Sequence, residues 1–187
     1  MKKILILLAL PLLFNSCRKD DEDKVSKSAT ERIEEAVKEA ITVLQGAENG
    51  WRMELYPESE RIYGGYTLFL KFNADNTVVA SSENFAAGKT ESSYYSVVAE
   101  SGPVLAFDTN NDIIHFYSSP TTGAELGIGT SNGGLEGDSD FIVMEASADF
   151  VKLKGRKTNN YAYLYPIEAG VNWKTELQSY QDAADKM

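Results

Sequence analysis

The sequence predicts a mainly β domain: an antiparallel up-and-down meander of about eight or nine short strands, with an amphipathic helix before it and a short helix after it. Apolar residues alternate with a period of two between residues 51 and 165, and turn signals rich in Gly, Asn, Asp and Pro divide the strands. No intervening segment is long enough for a helical crossover. We expect the meander to close as a barrel, with a sandwich as the alternative, because both hide strand edges.

The first 16 residues have the pattern of a bacterial lipoprotein signal peptide. A pair of lysines begins the segment, an apolar run covers residues 4–14, and the small residue Ser16 precedes Cys17. Cys17 is the single cysteine of the chain, and we predict that it carries the lipid. An ordinary secretory cleavage site is the alternative, because the residues at 14 and 15 are uncommon before a lipidated cysteine.

The predicted domain organisation has three parts: a signal peptide over 1–16, a lipidated cysteine with an acidic tether over 17–28, and one β-rich domain over 29–187. The tether is charged and has no apolar periodicity, so it cannot bury enough surface to order itself. The formal net charge of −10 disfavours nucleic acid as a partner. A single cysteine also excludes a disulfide within the chain.

Helical periodicity occurs at both ends of the β-rich region. Ser28 and Glu31 have capping-box spacing, and the apolar residues that follow at steps of three and four predict a helix over 29–45 that stops at Gly46. A second helical pattern, over 171–184, predicts a C-terminal helix.

Nine segments have the strand pattern. They cover residues 51–56, 66–72, 77–81, 94–99, 104–107, 113–117, 141–146, 150–154 and 161–165. A glycine-rich segment of 21 residues, 120–140, interrupts one of the predicted hairpins. Loops of this length are either functional or disordered, so we treat the segment as a candidate part of a site.

Aromatic and histidine side chains are the candidate ligand-binding residues. Tyr161, Tyr163 and Tyr165 share one face of a predicted strand, and Trp51 and His115 are nearby candidates. Tyrosine combines a flat apolar ring with a polar tip, which suits carbohydrate or porphyrin recognition and equally suits ordinary packing in a half-buried sheet. Any binding site is expected where the tyrosine face meets the 120–140 segment. For His115, on a predicted strand, a structural role is the default.

No catalytic residue is expected. Residues 129–133 match the G-x-S-x-G pattern of serine hydrolases around Ser131, but they lie in a loop with no helix after it. His115, the sole histidine, comes before that serine rather than after it. A hydrolase using Ser131 is therefore the least favoured function.

Carboxylate clusters raise the question of a metal site, but none matches a known motif. Residues 108–112 begin like an EF-hand loop, yet Ile113 occupies the position that requires glycine. Glu136, Asp138 and Asp140 are weak candidates for an irregular cation cage. We expect neither a metal nor a cofactor.

Four motifs carry a resemblance to a known family. They are Gly50–Pro57 (GWRMELYP), Gly64–Phe72 (GGYTLFLKF), Gly102–Thr109 (GPVLAFDT) and Gly137–Phe141 (GDSDF), together with His115. Over about residues 30 to 166 the chain resembles a family of Bacteroidetes lipoproteins whose domain has no known function. The resemblance implies a lipoprotein of the outer membrane, exposed at the cell surface. It leaves open whether this chain is a truncated form of a longer member.

Together these observations predict a cell-surface or outer-membrane lipoprotein that acts as a non-catalytic binding or accessory module for the uptake of glycans or other nutrients. Its expected partners are the outer membrane, through the lipid anchor, and a glycan or other small ligand. The alternative is a scaffold that contacts other envelope proteins.

Overall fold

Eight antiparallel strands close into a single barrel in the computed structural model of the chain, which describes residues 27–122, 129 and 133–186. Each strand pairs with its neighbours in sequence, and the first strand also pairs with the last. The strands are β1 (Trp51–Leu55), β2 (Tyr66–Phe72), β3 (Thr77–Ser82), β4 (Glu91–Ala99), β5 (Pro103–Phe107), β6 (Asp140–Ala146), β7 (Val151–Gly155) and β8 (Tyr161–Pro166). The predicted mainly β class and the closed barrel are confirmed.

Two α-helices flank the barrel strands in sequence, as predicted. Helix α1 covers Ala29–Gly46 and helix α2 covers Trp173–Ala184. The capping box at the start of α1 is present: the Ser28 backbone N–H donates to Glu31 Oε2 over 2.7 Å, and the Glu31 N–H donates to Ser28 Oγ over 3.2 Å. These bonds, the backbone one first, lower the pKa of Glu31. In the part of the chain that the structure describes, no helix combines the length and apolarity needed to cross a bilayer.

The alternating residues of the strands point into the barrel and fill it with side chains. The register places Met53 of β1 beside Leu68 on one side and Leu164 on the other. The largest fully buried side chains include Trp51, Met53, Leu68, Leu70, Tyr95, Leu105 and Leu153. The interior is thus a packed core held by apolar burial.

The two ends of the barrel differ. Three tight turns, 73–76, 100–102 and 147–150, lie at one end, which we call the turn end. At the other end, which we call the loop end, lie the longer connections 56–65, 83–90 and 156–160 and the described residues of the 108–139 connection. This difference follows from the meander, because alternate connections of an up-and-down barrel lie at the same end.

Residues 33–46 of α1 pack against the turn end. Ala40 and Leu44 are buried in the same apolar core as the barrel interior. The indole Nε1 of Trp51 donates a hydrogen bond of 2.8 Å to the Leu44 carbonyl, and Gln45 Nε2 donates to the Tyr95 hydroxyl over 2.8 Å. These bonds satisfy buried polar atoms where the helix crosses the barrel.

Helix α2 lies along the outer wall of the barrel. Phe69 points outward from β2, between the inward-pointing residues on either side of it, but is buried because α2 covers it. Its ring lies 5.6 Å from the Trp173 ring and 6.4 Å from the Tyr180 ring, both edge to face. Leu177 of the same helix is also fully buried.

Residues 113–117 are not a strand, so the prediction for this segment was wrong. His115–Tyr117 form a 3-10 helix, which begins at an Asn111 turn. Asn111 Oδ1 accepts from the Ile113 and Ile114 N–H groups, both over 3.1 Å. A side chain that captures backbone N–H groups in this way competes with strand pairing. The apolar run therefore buries Ile113, Ile114 and Tyr117 at helical spacing under the loop end.

Asp138 anchors the end of the 108–139 connection to the turn between β7 and β8. Its carboxylate accepts from the Lys157 N–H over 2.5 Å, from the Thr158 N–H over 3.3 Å, and from the Thr158 hydroxyl. Gly155 makes this approach possible, because a Cβ there would overlap the Asp138 carboxylate. Asp138 is only 7% exposed, so water has little access to replace its carboxylate as the acceptor for these donors.

We expect Trp51→Phe to lower the free energy of unfolding by about 1–3 kcal/mol, because it removes the buried donor to the Leu44 carbonyl and leaves a small void. Urea denaturation followed by far-UV circular dichroism measures the change. Trp173→Phe is the matched control: it removes a similar 2.9 Å bond to the Asn49 carbonyl from a partly exposed side chain. An equal loss in both variants would contradict a special role for Trp51.

We expect Asp138→Ala to destabilise the fold by about 1–3 kcal/mol, since it leaves the buried Thr158 N–H and the partly buried Lys157 N–H without an acceptor. The exposed Asp149, in the turn after β6, provides the control variant Asp149→Ala. The free energies of unfolding of the two variants, measured by chemical denaturation, should differ clearly. A stability for Asp138→Ala within experimental error of the wild type would show that the anchor is dispensable.

Candidate functional site

The candidate site lies outside the barrel interior, because packed side chains fill that interior. At the loop end, a pocket of about 330 Å³ opens between the β3–β4 connection and the start of the β5–β6 connection. We call it the loop-end pocket. Its walls include Phe85, Lys89, Asn110, Asp112, His115 and Phe116, with the hydroxyl side chains of Ser119, Thr121 and Thr122.

The Asn111 turn places His115 in this pocket. Besides accepting from the Ile113 and Ile114 N–H groups, Asn111 is buried and its Nδ2 donates to Ser93 Oγ over 3.2 Å and to the Glu91 carbonyl over 3.3 Å. These bonds tie the connection to β4, inside the mouth of the barrel. The short helix that follows then directs Tyr117 inward while His115 lines the pocket.

The backbone of Asn111 engages one ring nitrogen of His115. Nδ1 lies 3.0 Å from the Asn111 amide nitrogen and 3.1 Å from the Asn111 carbonyl oxygen. If Nδ1 accepts from the amide, the proton is on Nε2; if it donates to the carbonyl, Nε2 is an acceptor. In both tautomers the backbone holds the ring in place, and Nε2 is the nitrogen that can bind a ligand.

Two phenylalanines and a lysine form the other wall of the pocket. The Phe85 and Phe116 rings meet edge to face with centroids 5.2 Å apart, and Lys89 Nζ lies 4.3 Å from the Phe85 centroid. The ammonium group is attracted to the ring face, which restrains a long side chain. A turn from Ala86 to Lys89 fixes the backbone position of the lysine, and Gly88 within this turn has a φ of 89°.

Helix α2 supports this wall from outside. Gln181 Nε2 donates to the Glu83 and Phe85 carbonyls, both over 2.7 Å. The β3–β4 connection is therefore held at its backbone, and the position of Phe85 depends on α2 as well as on the barrel.

The acceptors of the pocket come from Asn110 and Asp112. Asn110 Nδ2 donates to Asp112 Oδ1 over 2.9 Å, and the Asp112 N–H donates to Glu91 Oε2 over 3.0 Å. The carboxylate of Asp112 is exposed and keeps further acceptor capacity beyond the Asn110 bond. The pocket thus combines a cation, an anion, an imidazole, hydroxyl groups and aromatic rings.

A buried cluster lies beneath the pocket. The Tyr117 hydroxyl and Ser82 Oγ are 2.5 Å apart, and Asn84 Nδ2 lies 3.4 Å from the same hydroxyl. Burial raises the pKa of Tyr117 far above its ordinary value, so the phenol stays neutral. Burial also raises the pKa of Tyr66 and of Glu83, although the hydrogen bond from the Thr67 N–H opposes the shift at Glu83.

The predicted tyrosine face exists, but on the outer wall of the barrel. Tyr161, Tyr163 and Tyr165 are partly exposed on β8, and the register pairs them with outward residues of β7 and β1. The Tyr163 and Tyr165 rings stack with centroids 6.3 Å apart. Lys152 Nζ lies 4.3 Å from the Tyr161 centroid, and the Arg52 guanidinium lies 5.5 Å from that of Tyr165. Several ring faces therefore already have a partner.

The structure does not bring the predicted ligand-binding residues together. Trp51 is buried at the turn end, and His115 lines the loop-end pocket. The three tyrosines of β8, which we call the tyrosine strip, lie on the outer wall. The pocket residues Phe85, Lys89 and Phe116 were missed by sequence reasoning. A polar Asn111 followed by Ile113, Ile114 and Tyr117 at helical spacing was the signal that could have located this end of the site.

The three weak candidates for a metal site have three different structural positions. Asp138 holds the β7–β8 turn, Asp140 begins β6 opposite Ala106, and Glu136 lies in the connection with a φ of 57°. Within residues 27–122, 129 and 133–186, no three His, Cys, Asp or Glu side chains are grouped so that they could hold a metal ion.

Two further predictions fall outside the part of the chain that the structure describes. These are the lipid attachment at Cys17, with the signal peptide over 1–16, and the hydrolase pattern around Ser131. Both stay predictions from the sequence alone.

Comparison with known proteins identifies a family. One solved structure that resembles the chain is Japanin from Rhipicephalus appendiculatus bound to cholesterol, at 14% identity and a TM-score of 0.32, covering 72% of this chain and 86% of that one. No curated protein matches the sequence. A family model described as a domain of unknown function, DUF4302, matches residues 21–187. Because this match covers most of its length, the chain belongs to the DUF4302 family.

Proposed function

We propose that this protein is a lipid-anchored module of the outer membrane, exposed at the cell surface, that binds a glycan without catalysing a reaction on it. The ligand site in this proposal is the loop-end pocket. The observation that carries the proposal is the combination, in one pocket of about 330 Å³, of an aromatic wall with polar groups of every hydrogen-bonding type.

The chemistry of the pocket fits a sugar ring. Sugars present hydroxyl groups that donate and accept hydrogen bonds, together with apolar C–H faces that pack on aromatic rings. Lys89 supplies a donor, Asp112 an acceptor, and Phe116 an apolar ring beside them. Ligand sites are built in this way, from apolar walls and a few placed polar groups.

The setting of His115 favours binding over catalysis. In a nucleophilic site, a carboxylate commonly orients the base through its second nitrogen. Here the backbone of Asn111 occupies Nδ1 of His115. The imidazole is thereby suited to donate or accept one hydrogen bond to a ligand through Nε2.

We place the ligand in the pocket rather than on the tyrosine strip. The strip is convex, because it lies on the outer wall of a closed barrel, whereas ligand sites are concave. Stacking between Tyr163 and Tyr165 and the cations Arg52 and Lys152 also compete with a sugar for the ring faces.

An envelope scaffold is the second candidate function, and one observation favours it. Three large apolar side chains, Tyr94, Val98 and Met144, are 57%, 40% and 51% exposed on the outer faces of β4 and β6. Strand β5 lies between these two strands, so the three side chains are on one sector of the barrel wall. Exposed apolar residues in such a sector suit a protein partner. We rank this function second, since the patch is small beside the built pocket at the loop end.

Lys89→Met should weaken glycan binding by roughly tenfold to a hundredfold, because it removes a charge-assisted hydrogen bond of about 1.5–3 kcal/mol but keeps an apolar stem over Phe85. The full chain is first screened against an array of soluble glycans, and the affinity for the best one is measured by calorimetry. Lys157→Met is the matched control, since Lys157 is exposed in the β7–β8 turn outside the pocket.

A third variant, Tyr163→Ala, separates the two candidate surfaces in the same experiment. If the pocket is the site, Tyr163→Ala binds like the wild type. A loss of affinity in Tyr163→Ala with none in Lys89→Met would move the site to the tyrosine strip. If no glycan on the array binds, the glycan proposal fails.

Cys17→Ser should release the protein from the membrane fraction, because a hydroxyl group cannot form the thioether bond to the lipid that holds the protein there. Cell fractionation and mass spectrometry of the mature N-terminus provide the measurement. Ser16→Ala keeps a small residue before the cleavage point and should stay membrane-bound. An unmodified cysteine in the wild-type protein would refute the anchor.

A further inference from the structure

The turn end has a cavity of its own, distinct from the loop-end pocket. It has a volume of about 420 Å³ and lies between the C-terminal turn of α1, the end of β8 and the turn after β6. We call it the turn-end cavity. Val43, Ala47, Trp51, Ala148, Pro166 and Ile167 form most of its wall.

Apart from Glu48 at the rim, the polar side chains around this cavity are already bonded within the protein. Thr42 Oγ1 donates to the Lys38 carbonyl over 2.8 Å, and Trp51 Nε1 donates to the Leu44 carbonyl. Asn49 Nδ2 donates to the Glu168 and Val171 carbonyls over 2.8 and 2.9 Å. The wall therefore offers mainly methyl, methylene and ring surface, and the contact it can make with a ligand is apolar.

The cavity is small and built from regular elements. Its volume is near the lower end of the range of about 300–1,000 Å³ for small-molecule sites, so it suits one chain rather than a lipid with two. Helix α1 and strands β1 and β8 form its sides, and they are fixed by the barrel core. The shape therefore exists before a ligand arrives, which lowers the entropic cost of binding.

The charge at the rim selects the head group of such a ligand. Glu48 lies at the rim, and α1 ends beside it without a basic residue in its last turn. The carbonyl groups at a helix C-terminus carry partial negative charge, which repels an anion. A carboxylate head is disfavoured here and an uncharged one is accepted.

We propose that the turn-end cavity binds a single unbranched alkyl chain with an uncharged head group. This site is at the opposite end of the barrel from the proposed glycan pocket. The result of a binding assay on the turn-end cavity therefore neither supports nor contradicts the glycan proposal.

The test uses the full chain and 1-decanol as the probe, with calorimetry and tryptophan emission as readouts, because Trp51 lines the cavity. We expect a saturable site with one decanol per protein. 1-Butanol, with the same head and a shorter chain, should show no saturable binding, and decanoate should bind at least about tenfold more weakly than decanol.

Variants that fill the cavity locate the site. Ala148→Phe, at an exposed rim position, should weaken decanol binding at least about tenfold by occupying the space. Ala183→Phe, on the exposed face of α2, is the matched control and should bind like the wild type. Comparing variants within the full chain cancels any binding by the apolar run over 4–14.

A second filling variant, Ala169→Phe, replaces Ala148→Phe if thermal melting shows that the first does not fold. The proposal is overturned if decanol binding is unaffected in a folded filling variant. It is equally overturned if decanoate binds as tightly as decanol, or if no saturable decanol site exists.

Discussion

Pairing between the first and last strands closes the sheet, and the arrangement of the molecule depends on this closure. Met53 of β1 lies opposite Leu164 of β8, so apolar side chains from both ends of the sheet meet in the interior. Closure removes the strand edges and at the same time creates an inside that must be filled. Large residues such as Trp51 and Tyr95 fill it, so the two cavities that we propose as ligand sites are at the barrel ends.

The connections then determine what each end can do. At the turn end the hairpins are short, and α1 crosses them, which leaves a small apolar cavity with satisfied polar neighbours. At the loop end, the described residues of the β5–β6 connection include Ile113 and Leu135, which are fully buried in the core. Its polar side, with His115 and Asp112, faces the β3–β4 connection and forms a pocket of a different chemical character.

Much of the fold could be predicted from the sequence, since period-two alternation reports directly which side chains face a core. Strands such as Tyr66–Phe72 were predicted with their observed bounds. The 113–117 segment was not, because a run of apolar residues has no clear period when a neighbouring side chain decides its conformation. That side chain is Asn111, whose Oδ1 captures two N–H groups and turns the segment into a helix.

The site was harder to predict, because its residues come together only through the closure of the barrel. Phe85 and Phe116 are far apart in sequence and have no shared periodicity, yet their rings are in contact. The alternation of Tyr161, Tyr163 and Tyr165 could be seen in the sequence, but it indicates only that these residues share one face of a strand. Alternation shows which residues share a face but not which face encloses a ligand.

Phe69 shows what α2 contributes to the outer wall of the barrel. This phenylalanine points away from the core and is shielded by Trp173 and Tyr180. A shortened form that ended before residue 173 would keep all eight strands but would expose the Phe69 side chain on the barrel wall. Self-association through that bare wall, rather than unfolding, is then the characteristic defect of such a form.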